Sequence, residues 1–149
     1  MKFITKLFDQ LSLDELYEII KLREQVFVVE QNCPYLECDG YDKKAVHLYA
    51  AIGAAIAAYT RILPPGLHYQ EVSFGRVLVN EKYRRKGFAE KLLKECLNCI
   101  EEKYPKTNIK ISAQTYLVEF YRRFGFEIIS DEYLEDNIPH VNMLKKVNS

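Results

Sequence analysis

No apolar run in these 149 residues approaches the roughly 20 residues of a membrane-spanning helix. The longest, Ala50 to Tyr59, is rich in alanine and contains Gly53, so it reads as a small-residue strand hairpin. The first residues lack the apolar core of a secretory signal, with Asp9 and Gln10 placed early, and a cytoplasmic protein is expected. Net charge is missing too: Lys+Arg and Asp+Glu both total 21, which argues against a nucleic-acid partner. No internal repeat, linker or low-complexity stretch interrupts the chain, so a single domain over 1–149 is expected. Cysteine is sparse. Cys96 and Cys99 have C-x-x-C spacing but fall inside a predicted helix, without the turn that zinc knuckles and redox motifs use. With Cys33 and Cys38 they read as buried or incidental thiols, and no metal site is expected.

What is present is a foldable core and a clear order of elements. Apolar residues make up 48%, which excludes global disorder. Lys2 to Phe8 alternates as a first strand. Ser12 and Glu15 form a capping box, and the apolar spacing from Leu13 predicts a helix to about Phe27. Val28 to Asp42 reads as a short helix and a long loop. His47 to Ile52 and Ala55 to Leu63 read as strands turning at Gly53-Ala54, and Val72 to Asn80 as the next strand. Phe88 to Tyr104 carries an amphipathic stripe and ends before Pro105. Then come a strand at Asn108 to Ala113 and a short helix at Leu117 to Phe124, stopped by Gly125. Phe126 to Leu134 and His140 to Lys146 form a closing hairpin.

One stretch carries chemistry on its face. Arg84-Arg85-Lys86-Gly87-Phe88-Ala89 joins an apolar strand to a helix start. The first N–H groups of a helix have no partner within it, and its dipole adds positive potential there. Gly87 can take a positive φ, or let a ligand close to the backbone. The pattern predicts a seat for a pyrophosphate-sized anion.

Arg84-x-x-Gly87-x-Ala89 resembles the pyrophosphate-binding signature of the GNAT acetyltransferase superfamily. The order of elements matches that fold from end to end. Arg23-x-x-Val26-Phe27-Val28-Val29-Glu30-Gln31, Phe74-Gly75-Arg76-Val77, Ala113-Gln114, Phe120-Tyr121-x-x-Phe124-Gly125-Phe126 and Asp136-Asn137-Ile138-Pro139-His140 resemble ElaA-type members. Asn137 stands where the family pattern has glycine, and asparagine tolerates a left-handed turn. The resemblance implies an α/β (α+β) fold: a mixed, mostly antiparallel sheet with helices on both faces, splayed between the strands at 72–80 and 108–113. It implies an N-acetyltransferase that takes acetyl-CoA as co-substrate and acts on a primary amine of a small molecule or peptide by direct attack in a ternary complex. Monomer and homodimer both fit.

The same resemblance assigns sites. Arg84, Arg85, Lys86, Gly87, Phe88 and Ala89 would hold the pyrophosphate. The backbone of Val77, Leu78 and Val79 would pair with the pantetheine arm, and an N–H near Leu78 would polarise the thioester carbonyl. Tyr121 would protonate the departing thiolate. For the base the residues offer Glu30 and His140, with Glu71 at a strand edge and a water chain as alternatives. Arg23, Arg61 and Arg76 each interrupt an apolar element, where a lone charge is costly to bury. They would either pair with Glu30, Asp39 or Asp42, or join Glu30 and His140 in holding the acceptor. His47 and His68 read as incidental. The competing readings are an acyl-homoserine-lactone-synthase-like acyltransferase and a non-catalytic acyl-CoA-binding module.

Overall fold

The structure, a computed structural model, describes residues 1–147, so positions 148 and 149 of the expected domain lie outside the described residues. Strand β1 (Lys2–Leu7) leads to helix α1 (Leu13–Arg23). The capping box forms: Glu15 N–H donates to Ser12 Oγ at 3.0 Å and Ser12 N–H to Glu15 Oε1 at 2.8 Å. Such a cap contributes about 1 kcal/mol. The α-helix stops four residues short of the expected Phe27 and continues as a π-helix, Glu24–Glu30. This stretch holds the β-branched run Val26, Val28 and Val29, whose crowding weakens tight α-turns.

Strands β2 (Val46–Ile52), β3 (Ala55–Leu63) and β4 (Ser73–Val79) follow, giving one sheet in the order β1-β2-β3-β4, antiparallel throughout. Helix α2 (Phe88–Lys103) buries Phe88, Leu92, Leu93, Cys96 and Ile100 against one face, with Leu48, Ala58 and Ile62 of the sheet. The other face takes Ile19 and Leu22 of α1 against Tyr49, Tyr59 and Leu78, which lie in one cross-strand row. Alternation along each strand thus supplies both helix layers.

A second sheet is built from β5 (Ile109–Gln114), β6 (Glu127–Ile128), β7 (Tyr133–Glu135) and β8 (Ile138–Lys145), with helix α3 (Val118–Arg122) between β5 and β6. The expected strand over 126–134 is therefore two short pieces. Between them Ser130 Oγ accepts the Asn142 N–H at 2.8 Å, so a side chain replaces part of the ladder. The β7–β8 turn has positive φ at Asp136 (51°) and Asn137 (63°), the left-handed turn that asparagine tolerates.

Among the described residues the two sheets are hydrogen-bonded to each other at one end. Val72 and Ile109 form a parallel bridge, with Lys110 N–H donating to the Val72 carbonyl at 2.9 Å. Beyond it β4 and β5 separate. Phe74, Tyr121 and Phe126 pack edge-on or tilted beneath the opening, at centroid distances of 5.8–6.2 Å.

Candidate active site

The splay opens into a cavity of about 850 Å³. On one wall β4 is bent by a bulge. Tyr59 faces Leu78 and Arg61 faces Gly75, so Arg76 and Val77 together oppose Thr60, and Arg76 takes φ +52°. The glycine inside this strand, Gly75, was the available sequence signal. Past the bulge the Asn80 N–H bonds the Ala57 carbonyl, toward β3. Strand alternation then turns Leu78 the same way and Val77 and Val79 toward the cavity. The Val79 carbonyl indeed accepts Arg84 Nε at 3.0 Å. The open backbone donors therefore belong to Val77 and Val79, the two residues that flank Leu78.

The basic turn follows. Gly87 sits at φ +78° as the N-cap of α2, and no side chain caps that end. The first backbone bond into the helix runs from the Lys91 N–H to the Gly87 carbonyl at 3.3 Å, which leaves the N–H groups of Phe88, Ala89 and Glu90 free among the described residues. Arg85 and Lys86 are exposed, whereas the Phe88 ring is buried and meets Tyr83 edge-on at 6.0 Å. Arg84 behaves differently from its neighbours. Its guanidinium holds Glu30 with two bonds, at 2.5 and 2.7 Å. That bond, more than its charge alone, pulls the Glu30 carboxyl below its ordinary range. Arg84 and Glu30 thus tie the turn to the π-helix, and Glu30 is not a free base.

Tyr121 on α3 lies on the cavity wall, its side chain packed in the core. Its contacts are ring packing on Phe74, Phe120 and Phe126, and its hydroxyl makes no hydrogen bond among the described residues. Burial pushes its pKa well above the ordinary tyrosine value, so the phenol stays protonated at neutral pH. It is a protonated phenol on a residue that lines the cavity.

The arginines do converge. Arg23 bonds Glu37 at 2.9 Å and Asp42 at 2.7 Å. Arg61 bonds Asp39 and, at 3.0 Å, Asp42, and Arg76 bonds Glu37 at 2.5 Å. Arg23 is fully buried and absent from the cavity wall, which takes it out of the expected acceptor contacts; Arg61 and Arg76 do line it. His47 is also part of this framework rather than incidental. It is buried between the Tyr59 hydroxyl (2.7 Å) and the Asp42 carbonyl (2.9 Å). His68 joins the cavity wall and meets the Tyr41 hydroxyl at 3.2 Å. Tyr69 and Tyr116 line the cavity without any local motif that marked them, and Gln114, from the Ala113-Gln114 stretch, lines it too.

Burial alone would raise Asp39, but the Arg61 hydrogen bond and charge outweigh it and hold the carboxyl at about 2, against an ordinary 3.8. Glu15 is held at about 2, against 4.5, chiefly by Lys6 and the Ser12 N–H. Burial lowers His47 from 6.5. All three bind fewer protons folded than unfolded, so each contributes stability above its unfolded pKa that is lost as pH falls through the folded one. Stability is expected to decline gently below pH 6.5 and steeply from pH 4.5 toward 2, read by urea melts across that range. A flat profile would mean that these pairs are not formed in solution.

Residues 24–147 match the model of the acetyltransferase (GNAT) domain. The protein ElaA of Escherichia coli is 36% identical over 140 residues, covering 93% of this chain and 92% of ElaA. Its crystal structure superposes with a TM-score of 0.90 over 98% of this chain and all of that one. An acyl-CoA N-acyltransferase from Pseudomonas aeruginosa superposes with a TM-score of 0.93 at 38% identity, covering 97% and 98% of the two chains. The CoA-dependent acyl-homoserine lactone synthase MesI shares the fold alone, with a TM-score of 0.73 at 15% identity, over 99% of this chain and 89% of that one. The chain belongs to the GNAT acetyltransferase family, in its ElaA-type branch. That is a family of acyltransferases working from acyl-CoA. Among the described residues, no helix is long and apolar enough to cross a membrane.

Proposed function

We propose that the protein moves an acetyl group from acetyl-CoA to a primary amine of a small molecule or peptide, in a ternary complex within the splay. The observation that carries this reading is a cavity in the splay lined together by Val77, Leu78, Val79, Arg84 and Tyr121, with Gly87, the N-cap of α2, three residues beyond Arg84 in the chain. The free N–H groups at the start of α2 suit the pyrophosphate, the open β4 edge suits the pantetheine amides, and the unpartnered Tyr121 hydroxyl suits the departing sulfur. The residues present fit the coenzyme without a metal ligand set. Val77 and Val79 N–H groups would polarise the thioester carbonyl, and Arg85 and Lys86 would add charge beside the pyrophosphate. Arg84 would serve through Glu30 and Val79, shaping the turn.

Acetyl-CoA binds only the folded chain, so it is expected to raise the melting temperature; saturation at about 100 times Kd adds roughly 2.7 kcal/mol. S-adenosylmethionine is expected to give no shift. A shift for S-adenosylmethionine with none for millimolar acetyl-CoA would replace this reading with the homoserine-lactone-synthase-like one.

A further inference from the structure

The charges around the cavity do not cancel evenly. Each arginine on its wall already holds a carboxylate: Arg84 holds Glu30, Arg61 holds Asp39 and Arg76 holds Glu37. Two carboxylates on the same wall, Glu135 and Asp136, have no Lys or Arg within 4.0 Å among the described residues. Among the described residues the one basic side chain within 4.0 Å of Glu135 is His140, with Nε2 at 3.4 Å from Oε2; the two form an ion pair only when the ring is protonated.

His140 is oriented as a base. Its Nδ1 lies 2.6 Å from the Ile138 carbonyl oxygen, and a carbonyl can only accept. Nδ1 therefore carries the hydrogen, and the neutral ring keeps its lone pair on Nε2. The side chain is only 9% exposed and lines the cavity, and Nε2 has no hydrogen-bond partner among the described residues. Tyr133 stacks on the ring at 6.0 Å and fixes its plane.

We propose that Glu135 and His140 form the acceptor site: Glu135 holds an incoming primary ammonium and His140 Nε2 takes its proton, so the acceptor is a cationic amine without a neighbouring carboxylate. This rests on the acetyltransferase reading above. An alkylamine with a pKa near 10 arrives protonated and cannot attack. A carboxylate beside it would find no unpaired arginine and would face Glu135 and Asp136.

The step balances. His140 takes one proton from the ammonium. The freed amine attacks the thioester carbon, forming C–N, and C–S breaks. Tyr121 protonates the thiolate, and the surplus proton on nitrogen restores the tyrosine. His140 releases its proton to water, so each turnover yields amide, thiol and one proton.

Charged and titratable groups face His140 from every element packed against it. Tyr133 and Glu135 come from β7 and Asp136 from the turn; Gln114, opposite on β5, is neutral. From the β3–β4 loop, His68 and Tyr69 feel the Glu135 charge, and Lys110 on β5 sits 4.5 Å over the Tyr69 ring.

The test compares 1,4-diaminobutane with ornithine, which adds one carboxylate to the same frame. kcat/KM is expected to be at least about 10-fold higher for the diamine, the size of one charge-assisted hydrogen bond. E135Q is expected to raise the diamine KM at least about 10-fold. H140N keeps an N–H toward Ile138 without a base. It is expected to cut kcat about 100-fold or more while the acetyl-CoA melting shift stays intact. Nitrogen NMR adds a readout free of turnover: His140 should show the Nδ1–H tautomer, and its signals should move with 1,4-diaminobutane in the wild type but not in E135Q. Ornithine matching the diamine, H140N within threefold of wild type, or an Nε2–H tautomer would each overturn the assignment. Silence of the wild type with every amine would overturn the acetyltransferase reading itself, and this site with it.

Discussion

Tyr121→Phe is expected to slow amine-dependent thiol release by at least about 100-fold, the usual scale for losing a positioned general acid. The variant should fold and melt almost as the wild type does. The hydroxyl it removes has no protein partner among the described residues, while the ring it keeps packs against Phe74, Phe120 and Phe126. Acetyl-CoA affinity should change little, because the binding features lie on β4 and at the start of α2. The loss should therefore fall on kcat rather than on KM for acetyl-CoA. Steady-state kinetics over an amine panel, with the melting shift as a binding control, reads both quantities. Turnover within a few-fold of wild type would assign Tyr121 to packing alone.

Arg23→Met carries the largest expected effect on stability. The guanidinium is fully buried, and its partners Glu37 and Asp42 have only 5% and 13% of their side chains exposed. Methionine fills much of the volume but leaves those carboxylates short of a counter-charge. Breaking a buried pair from one side costs about 3–5 kcal/mol. For a chain of 149 residues this corresponds to a drop of roughly 10 °C or more in Tm. Arg61 and Arg76 share the same acids, so part of the loss should be recovered in the double variant R23M/D42N. Urea melts of the single and double variants measure this coupling. A cost below about 1 kcal/mol for R23M would show that the two carboxylates are satisfied without Arg23.

These two residues mark what a sequence can and cannot tell. The Arg84–Ala89 turn was legible because its chemistry is local. Gly87 takes its positive φ from its own backbone freedom, and the free N–H groups follow from being first in a helix. Strands and helices were legible wherever apolar spacing ran unbroken, as in α2. The π-helix at Glu24–Glu30 was not, because a change of helix type leaves the apolar spacing nearly unaltered. The gap between β6 and β7 was missed for a similar reason: Ile128 and Ile129 read as strand, and only Asn142 across the sheet shows where the ladder is interrupted. Arg23, Arg61 and Arg76 were visible as misfits in apolar elements. Their sorting into a buried framework residue and two cavity residues depends on contacts spanning up to 39 positions. Glu135 drew no attention because it is an exposed carboxylate in a hairpin turn, and it is exposed in the fold as well. Its meaning comes from His140, which the turn folds back beside it.

The central claim is that the splay between β4 and β5 joins acetyl-CoA to an amine. Its most direct test is to incubate the protein with acetyl-CoA and 1,4-diaminobutane and to weigh the products by mass spectrometry. The account predicts N-acetyl-1,4-diaminobutane and free coenzyme A in equal amounts, with both nearly abolished in Tyr121→Phe. Coenzyme A release without acetylated amine, or no product from any amine at millimolar acetyl-CoA, would contradict it.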